Sequence, residues 1–580
     1  MPEKPVKEWR IRPLAADPAV IGEIAAAVGL PESIAALLAG RGIDTPEAAK
    51  AFLWPTLAQL PSPALMKDMD KAVSLLGDAI RRQHPIIIFG DYDVDGVTGV
   101  AVLALFLKEL GVAYICRQPK RLEHGYGFST ELVEDANKNT VVVTVDCGIS
   151  DVNEVARAKE LGLTVIVTDH HQPPPVLPAA DAILNPLQPG CAFPFKHLAG
   201  VGVAFYLAMG LRGHLLESGY FSDRTQAPNL KAYLDLVAIG TICDMTPLVD
   251  ANRIMTIAGL DVLARTNRPG LRHLLAVANI DVQRVNADDI GYRIGPRLNA
   301  PGRLGDAEPA LRLLLSEDQA EAKALAKQID ATNQERQEIV RQVSEEALAR
   351  AARLVAEGAR VLVLHDKEWH GGILGIAASR LAEEFNRPAL LLTTAGNGLL
   401  KGSGRSVDGL DIHDVLTGCA DLLASYGGHS CAVGVSLVPE NLAAFVERLE
   451  VIIAQRLDLQ ALEPLLWIDH VLSAEELGEN GFMEGYQRLA PFGIGNPEPV
   501  FATASEISFE NARVVGLDHL KFTSRINGVS FSGIGFGLGG CLEQVEGRSA
   551  LPAFTIQKNF FRGREEWQLN IVDISAPTTT

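Results

Sequence analysis

Four short apolar runs constrain the fold most, because an aspartate follows each of them within two residues. They are IIIF at 86–89, VVVTV at 141–145, TVIVT at 164–168 and LVAIGTI at 236–242. Runs of this length that are rich in β-branched residues are typical of buried strands. Between the runs, helix-like stretches at 98–110 and 150–161 end at Gly111 and Gly162, where a helix commonly closes. Strand, helix and strand at this spacing predict βαβ units and a parallel sheet.

Acidic and imidazole side chains follow the ends of these runs. In order along the chain they are Asp91, Asp93 and Asp95, then Asp146, then Asp169, His170 and His171, and last Asp244. The carboxyl ends of strands in an open parallel sheet line the crevice where ligands bind. We therefore expect all of these side chains to face one crevice.

So many carboxylates in one crevice indicate a metal centre. Like charges a few ångströms apart raise one another's pKa unless cations neutralise them. Six aspartates and two histidines offer enough ligands for two divalent ions, and mixed imidazole and carboxylate ligation suits Mn²⁺ better than an all-oxygen Mg²⁺ site. Two such ions can activate a water and clamp a phosphoryl oxygen, so the pattern predicts phosphoester hydrolysis.

Each piece of this pattern also has a structural interpretation. An aspartate after a strand is more often a helix N-cap than a metal ligand. His170 and His171 could be a core or surface pair. The coincidence of four run ends, one bearing Asp-x-Asp-x-Asp-Gly and another Asp-His-His, favours the metal centre.

The length and the net charge of the chain bear on the number of domains and on the class of binding partner. The chain has 580 residues and a formal net charge of −19, from 52 Lys and Arg against 71 Asp and Glu. This length implies several domains. A negative balance counts against a nucleic-acid partner, since phosphates are bound by Lys and Arg. It does not exclude one, because local Arg clusters and a metal-filled crevice are hidden in the global number.

Cysteine usage and the N-terminal segment predict a cytoplasmic protein. The seven cysteines show no Cys-x-x-Cys spacing, so neither a zinc ribbon nor a disulfide framework is indicated. The first residues lack the apolar core of a signal peptide, and no stretch of about 18 apolar residues follows. We expect reduced thiols and no membrane association.

The texture of the sequence changes several times along the chain. Residues 316–357 contain no Gly or Pro and predict one long helix, and the run at 360–364 starts a second α/β region. Many glycines and short alternating strands after about 465 suggest a small β-barrel. The predicted domains are an N-terminal helical segment (1–75), a parallel-sheet α/β domain (76–315), a connecting helix (316–358), a second α/β domain (359–455) and an OB-like barrel (456–580).

Several motifs resemble those of a known family. GDYDVDG at 90–96, VDCG at 145–148, DHH at 169–171 and CDMTPL at 243–248 resemble the successive motifs of the DHH phosphoesterase superfamily. HGGILGIAASRL at 370–381, GSGRS at 402–406 and GGH at 427–429 look like its associated second domain. With FGIGNP at 492–497 and the β-rich end, the chain resembles the bacterial single-strand-specific 5′→3′ DNA exonucleases of that superfamily.

The resemblance implies a role for each residue of the centre. Asp146 would bridge two Mn²⁺ or Mg²⁺ ions, with Asp93 on one and, on the other, Asp95, His170 and Asp244. His171 would face the scissile phosphate or steady the ligands. Superfamily pyrophosphatases have a His four residues before the equivalent of Asp93, whereas this chain has Phe89 there, and Asp91 is the substitute ligand that we expect.

The resemblance also implies a substrate path. Arg303, Ser403, Arg405 and Arg121 would hold the 5′-terminal phosphate; Arg303 shares a Gly/Pro-rich, loop-like stretch with Arg293 and Arg297. Gly428 and His429 would contact the substrate near the metals. Tyr126 could stack on a base or wedge into a duplex, and the cations and aromatics at 558–564 could bind single strands. Surface ion pairs, a core tyrosine and an ordinary hairpin are the alternatives.

The expected function is therefore a two-metal exonuclease that degrades single-stranded DNA from its 5′ end to mononucleotides in recombination and repair. Its expected partners are a single-strand-binding protein and a RecQ-type helicase, and the enzyme is expected to be a monomer. One alternative is a phosphoesterase of the same superfamily that acts on short oligonucleotides or cyclic dinucleotides. The other is a binding protein that has lost catalysis.

Overall fold

The computed structural model describes residues 7–14, 16–121, 123–457, 465–526, 528–561 and 564–575. The chain divides into two compact units. The barrel unit comprises 1–56, 247–249 and 463–580, and the α/β unit comprises 57–246 and 250–462. The predicted fold class, α/β with a C-terminal OB-like barrel, is confirmed.

The N-terminal part of the barrel unit is mostly helical. Its elements are β1 (Glu8–Ile11), α1 (Pro18–Val28), α2 (Glu32–Ala39) and α3 (Pro46–Leu53). Thr45 caps α3 by accepting a hydrogen bond from the N–H of Ala48, with Pro46 at the first helical position. The strand β1 was not predicted, because it pairs with a segment more than 450 residues away that no local pattern reveals.

No single helix in the described ranges is long and apolar enough to cross a membrane. The bent pair α1 and α2 passes that test only when its two helices are joined across a 116° bend. Their apolar side chains lie in the core of the barrel unit, where Ile24, Ile34 and Leu38 are fully buried.

The first sheet of the α/β unit holds three of the four predicted runs. Its strands are β2 (Ile86–Gly90), β3 (Tyr114–Arg117), β4 (Val141–Val145), β5 (Thr164–Thr168) and β6 (Ala182–Leu184). They are all parallel, in the order β3-β2-β4-β5-β6. Strands β2 and β4 are buried along their whole length, which explains their continuous apolar sequence.

Helices cover this sheet and continue beyond it. They are α4 (Met69–Arg82), α5 (Val94–Glu109), α6 (Val152–Glu160), α7 (Gly200–Glu217), α8 (Leu234–Cys243), α9 (Asp250–Leu263), α10 (Pro269–Val277), α11 (Ala287–Asp289), α12 (Gly295–Leu304) and α13 (Glu308–Leu315). Gly111 and Gly162 adopt φ of +69° and +84° just after α5 and α6, as their positions predict.

The fourth run was wrongly predicted as a strand: residues 234–243 form α8. This helix packs against α5, α7 and α9 and is buried on all sides over 234–241, so its sequence carries no amphipathic period. A short apolar run of this kind cannot be told from a buried strand by its pattern alone. Asp244 therefore stands at the C-terminal end of a helix.

The stretch at 290–304 was wrongly predicted as a loop. A π-helical turn at Ile290–Ile294 continues into α12, and Pro296 lies in the first turn of α12, where proline is tolerated. Gly302 serves close packing, since a Cβ there would lie 2.7 Å from the carbonyl oxygen of Tyr92.

The predicted long helix is confirmed as α14 (Gln319–Ala356). It begins one turn later than Ser316, because the side chain of Asp318 accepts the N–H of Glu321. It is more than a solvated connection. One face is buried against α10, α12 and α13 in its first half and, farther along, against the second domain.

The second sheet of the α/β unit is mixed. Its strands are β7 (Leu362–His365), β8 (Ala389–Thr394), β9 (Leu400–Arg405), β10 (Ser425–Gly428) and β11 (Ala432–Leu437), in the order β10-β11-β9-β8-β7. Only β7 and β8 pair in parallel. The helices are α15 (Leu374–Phe385), α16 (Ile412–Thr417) and α17 (Leu442–Arg456).

The C-terminal part of the barrel unit is β-rich, as predicted. Its strands are β12 (Leu465–Ile468), β13 (His470–Leu472), β14 (Phe501–Thr503), β15 (Ile507–Ser508), β16 (Glu510–Val515), β17 (His519–Ile526), β18 (Val529–Phe536), β19 (Ser549–Phe561) and β20 (Arg564–Ser575). Short helices α18 (Ala474–Leu477), α19 (Phe482–Leu489) and α20 (Leu542–Val545) lie among them.

Candidate metal centre and nucleic-acid cleft

The turn from β2 into α5 holds three of the aspartates. Oδ1 of Asp93 accepts the N–H groups of Asp95 (2.9 Å) and Gly96 (3.1 Å), so Asp93 caps α5. A Cβ at Gly96 would lie 2.6 Å from the carbonyl oxygen of Asp91, and only glycine fits there. A carboxylate oxygen of Asp93 also lies within 4.8 Å of oxygens of Asp91 and Asp146. The capping role and the ligand role of Asp93 are thus compatible.

The start of α7 holds Asp95 in place. Its two oxygens accept the N–H groups of Gly200 (2.6 Å) and Val201 (2.8 Å). Burial, then the charge of Asp93, raises the pKa of Asp95 to about 7. Asp146 lies beside the same helix end with φ at +61°, a conformation that is uncommon for any residue but glycine and that marks functional sites.

His170 lies among the carboxylates. Its Nε2 is 3.1 Å from Oδ1 of Asp146, 3.7 Å from Oδ2 of Asp244 and 3.8 Å from Oδ2 of Asp95. Burial, then the neighbouring His171, lowers the pKa of His170 to about 3. The imidazole is therefore neutral at physiological pH, which is the form that binds metals.

Four buried polar atoms of this cluster lack any hydrogen-bond partner in the part of the chain that is described. They are Oδ1 of Asp91, Oδ1 of Asp146, Oδ2 of Asp244 and Nε2 of His170. Burial and then neighbouring carboxylates raise the pKa of each of these aspartates well above its usual value. A buried acceptor without a partner costs free energy of folding. Four such atoms that converge are suited to bind divalent cations.

The ligand atoms fall into three groups, with the atoms in each group within 4.8 Å of one another. Asp91, Asp93 and Asp146 form one, and Asp95, His170 and Asp244 form a second. The third, of Asp146, His170 and His171, shares one residue with each of the others, and Asp146, 3.1 Å from His170, stands between the first two. The structure thus brings together all six residues that the sequence analysis assigned to metal.

Asp169 behaves differently from the other five aspartates that follow the apolar runs. Its Oδ1 accepts the backbone N–H groups of His170 (2.7 Å) and His171 (3.0 Å) and lies 2.8 Å from Nδ1 of His171. Burial opposes the ionisation of Asp169, but these contacts lower its pKa to about 2. Burial likewise opposes the protonation of His171, but Asp169 raises its pKa to about 9. Asp169 therefore orients a cationic His171.

Two aromatic side chains surround His171. The ring of His429, at the end of β10, stacks on it at 6.1 Å between centroids and 16° between planes. The hydroxyl of Tyr126 lies 3.1 Å from Nδ1 of His171 and donates to the carbonyl oxygen of Asp146 (3.3 Å). Gly428, with φ at +133°, allows β10 to approach β11, since a Cβ would lie 2.3 Å from the carbonyl oxygen of Ala432.

A loop between two glycines presents Tyr126. Gly125 and Gly127 both have positive φ, and the carboxylate of Asp151 accepts the N–H of Phe128 (2.7 Å). The tyrosine side chain is half exposed, at 52%. It is therefore anchored at its hydroxyl beside the metal cluster and open to solvent at its ring, unlike the core tyrosine of the alternative interpretation.

A cationic pocket lies where α12, α15 and β9 meet. Nη1 of Arg405 donates to Oγ of Ser403 (3.0 Å), and both face the first turn of α15, where a Cβ at Gly375 would come within 3.0 Å of them. Arg303 donates to the carbonyl oxygen of Gly372 (3.4 Å). Burial, then Arg121, lowers the pKa of Arg303 to about 10 and also lowers that of Arg405.

Arg121 connects this pocket to the metal cluster. Its guanidinium lies 5.3 Å from the ring centroid of Tyr92, the residue that separates Asp91 and Asp93 in the sequence. Arg293 and Arg297 are not part of the pocket. They are paired with Asp289 (2.7 Å) and Asp330 (2.8 Å), as the ion-pair alternative expects.

The segment 558–564, which was predicted to bind single strands, is described only in part. Lys558 is paired with Glu565 (3.1 Å) and lies over the ring of Trp567. Residues 562 and 563 and the side chains of Phe560, Phe561 and Arg564 lie outside the described part, so the predicted aromatic path stays a prediction there.

Family models match three regions of the chain. The DHH family, N-terminal domain, matches 85–241; the DHHA1 domain matches 358–455; and the RecJ OB domain matches 468–573. A relative from Salmonella typhimurium, the single-stranded-DNA-specific exonuclease RecJ, is 40% identical over 565 residues, which cover 94% of this chain and 96% of the relative. The chain belongs to the RecJ family.

Solved RecJ structures match as well. RecJ from Thermus thermophilus in complex with Mn²⁺ aligns with a TM-score of 0.79 and 31% identity over 98% of this chain and 80% of that one. The complex of the same RecJ with Mg²⁺ gives 0.74 and 30% over 98% and 78%. RecJ crystals thus contain the two metals that the cluster of carboxylates and imidazole fits.

Proposed function

We propose that this chain is a metal-dependent exonuclease that hydrolyses single-stranded DNA from its 5′ end to 5′-mononucleotides, in recombination and repair. The observation that carries the proposal is the convergence of four unpaired buried ligand atoms beside a pocket of arginines. Membership of the RecJ family supports the substrate and the type of reaction.

The metals are two Mn²⁺ or Mg²⁺ ions. Asp91 and Asp93 would hold one; Asp95, His170 and Asp244 would hold the other; and Asp146 would bind both. When bound, two such ions activate a water and neutralise charge on the phosphoryl oxygens. Neutral His170 supplies the imidazole ligand that favours Mn²⁺.

The chain's own residues then act on the substrate. His171, held protonated by Asp169, would donate a hydrogen bond to the scissile phosphate, where negative charge develops. Because Nδ1 is engaged by Asp169, Nε2 is the nitrogen that serves this role. His429, stacked on His171, would contact the same phosphate region from the second domain.

The 5′ polarity follows from the cationic pocket. Arg303, Arg405 and Ser403 meet at the first turn of α15, and a helix N-terminus with added arginines binds a phosphate well. With Arg121 they would hold the 5′-terminal phosphate. Tyr126 lies beside the metal cluster, at His171, where its ring could stack on a base and exclude a duplex.

The barrel unit would also bind single-stranded DNA. This assignment rests on the match to the RecJ OB domain, since OB folds bind single strands with aromatic and cationic side chains. By the same family membership we propose that the enzyme acts as a cytoplasmic monomer beside a single-strand-binding protein and a RecQ-type helicase.

The proposal is tested by degradation of a long single strand, its duplex and a dinucleotide, each with Mn²⁺ and with chelator. We expect Mn²⁺-dependent loss of the single strand alone. Preference for the dinucleotide would indicate the small-molecule phosphoesterase instead. In the same assay Arg405→Gln should reduce the preference for a 5′-phosphate over a 5′-hydroxyl end, whereas Arg341→Gln, at an exposed ion pair on α14, should not.

A further inference from the structure

The long helix α14 carries an arginine on its face toward α12 and α15, the helices that contribute to the cationic pocket. Arg336 is half-buried, and its Nε is a buried donor without a hydrogen-bond partner among the described residues. Nη2 donates to Oδ1 of Asn333 (2.8 Å), a neutral partner one turn away. No carboxylate within the described ranges pairs with this guanidinium, in contrast to the exposed Arg341 on the same helix.

Arg336 lies on the face of α14 that packs against α12 and α15. Residues 333, 336, 340 and 344 share this face, since they are three or four residues apart. Asn333, Val340 and Ser344 are buried in it. From α15, Arg380 reaches the same face and donates to Oγ of Ser344 (3.4 Å). From α12, Arg303 enters the 5′-phosphate pocket.

Charges on neighbouring helices act on these arginines. Burial, then Arg121 and Arg336, lowers the pKa of Arg303 to about 10, and burial, then Arg380 and Arg297, lowers that of Arg336. Of these, Arg297 is already paired with Asp330. A terminal phosphate monoester carries about two negative charges, and Arg405, Ser403, Arg303 and the α15 N-terminus already attend it. Arg336 and Arg380 therefore remain available for a further anion.

We propose that Arg336 and Arg380 form a second phosphate subsite next to the 5′-phosphate pocket, and that this subsite takes the additional phosphates of a 5′-di- or triphosphate end. The proposal rests on the proposed function and extends its substrate class. Further phosphates on the 5′ end would need cations beyond those that hold the first phosphate, and within the described part of the chain Arg336 and Arg380 bond only neutral partners, Asn333 and Ser344. The reaction is unchanged: water adds across the first phosphodiester bond.

This hydrolysis determines the products. The bond between phosphorus and the 3′ oxygen of the first nucleotide breaks, the 3′ oxygen takes a proton, and the shortened strand keeps a 5′-monophosphate. The first product from a triphosphate end is then a nucleoside 5′-triphosphate. Later products are mononucleotides.

The test compares one single-stranded oligonucleotide bearing a 5′-hydroxyl, 5′-monophosphate or 5′-triphosphate end, with Mn²⁺, and identifies the first product by chromatography. Wild type should degrade the triphosphate end with kcat/KM within about tenfold of the monophosphate end and release a nucleoside triphosphate. Arg336→Gln and Arg380→Gln should each lower kcat/KM for the triphosphate end by about tenfold and that for the monophosphate end by no more than about twofold.

The variants have matched controls. Arg380 is exposed, so its replacement leaves the core intact, and Arg341→Gln removes an arginine of α14 that is paired elsewhere. Failure of wild type on the triphosphate end, with the monophosphate end degraded, would overturn the second subsite and leave the proposed function standing. If the two variants lost kcat/KM equally on the triphosphate and monophosphate ends, the second subsite would also be overturned, because the arginines would then have only a structural role. Failure on all three ends would overturn the proposed function itself.

Discussion

Oδ1 of Asp169 lies 2.8 Å from Nδ1 of His171 and also accepts the backbone N–H groups of His170 and His171. One buried carboxylate therefore holds the backbone of both histidines and the ring of His171. Against the effect of burial, Asp169 raises the pKa of His171 to about 9, whereas burial, then the charge of His171, lowers the pKa of His170 to about 3. The Asp-His-His motif thus supplies one neutral imidazole and one cation.

Asp169→Asn should lower kcat by about a hundredfold with a small change in KM, because His171 loses the partner that keeps it protonated and oriented. A protonated His171 is present below its pKa, so wild-type activity should fall as pH rises through about 9. In the variant that loss should move to lower pH. A pH profile of kcat measures both, with the exposed Asp135→Asn as control. An unshifted alkaline limb would contradict the role of Asp169.

Asn299 should matter although it is not one of the six candidate metal ligands. Its Oδ1 accepts the N–H of Val94 (3.1 Å), the one first-turn N–H of α5 that Asp93 does not cap. Asn299→Leu should weaken Mn²⁺ binding about tenfold, as loss of support around metal ligands typically does, whereas Asn299→Asp keeps an acceptor and should remain closer to wild type. Calorimetric Mn²⁺ titration distinguishes them. Equal affinities for the leucine variant and wild type would contradict this role.

The metal-free protein should gain stability as pH falls. A carboxyl whose pKa is raised by folding stabilises the fold when protonated, and that contribution is lost as pH rises through the folded pKa, about 7 for Asp95. With chelator at pH 8, Asp244→Asn should raise the free energy of unfolding by at least about 1 kcal/mol, because it removes one repelling charge. Near pH 5 the difference should shrink.

With saturating Mn²⁺ the wild type should be more stable than Asp244→Asn, because the variant lacks one candidate ligand and gains less free energy of unfolding from metal binding. Urea unfolding at both pH values, with Mn²⁺ and with chelator, measures the effect. A variant that is less stable than wild type in chelator at pH 8 would contradict the electrostatic account of the cluster.

Asp146→Ala should abolish hydrolysis and leave strand binding largely intact. Asp146 stands between two groups of candidate ligands, whereas the arginines of the cationic pocket lie on other elements. Turnover with Mn²⁺ and binding of a labelled single strand in chelator should be measured on the same preparation. Wild-type turnover by the variant would refute the assignment of the centre.

Local patterns predicted the parts of the fold that local interactions determine. The runs at 141–145 and 164–168 are strands because β-branched residues fill a sheet that is buried on both faces. The run at 236–242 is equally apolar but less β-branched, and it forms α8, which helices surround. Pattern could not decide between the two, and tertiary packing did.

Residues that act through distant contacts could not be found from sequence pattern. Asn299 lies in a stretch whose glycines and prolines suggested a loop, and its hydrogen bond to Val94 spans 205 positions. Arg336 lies in a polar helix where an arginine is ordinarily solvated, and only the packing of α12 and α15 against α14 shows that it is half-buried. The six candidate ligands could be found from the sequence because each lies within six residues after an apolar run.

The most direct test of the central claim uses one single strand labelled at its 5′ end or at its 3′ end, with Mn²⁺ present and the products sized over time. We predict that the 5′ label appears at once as a mononucleotide, while the 3′ label passes through a series of progressively shorter strands. Release of the 3′ label first, or of internal fragments from both substrates, would contradict a 5′ exonuclease.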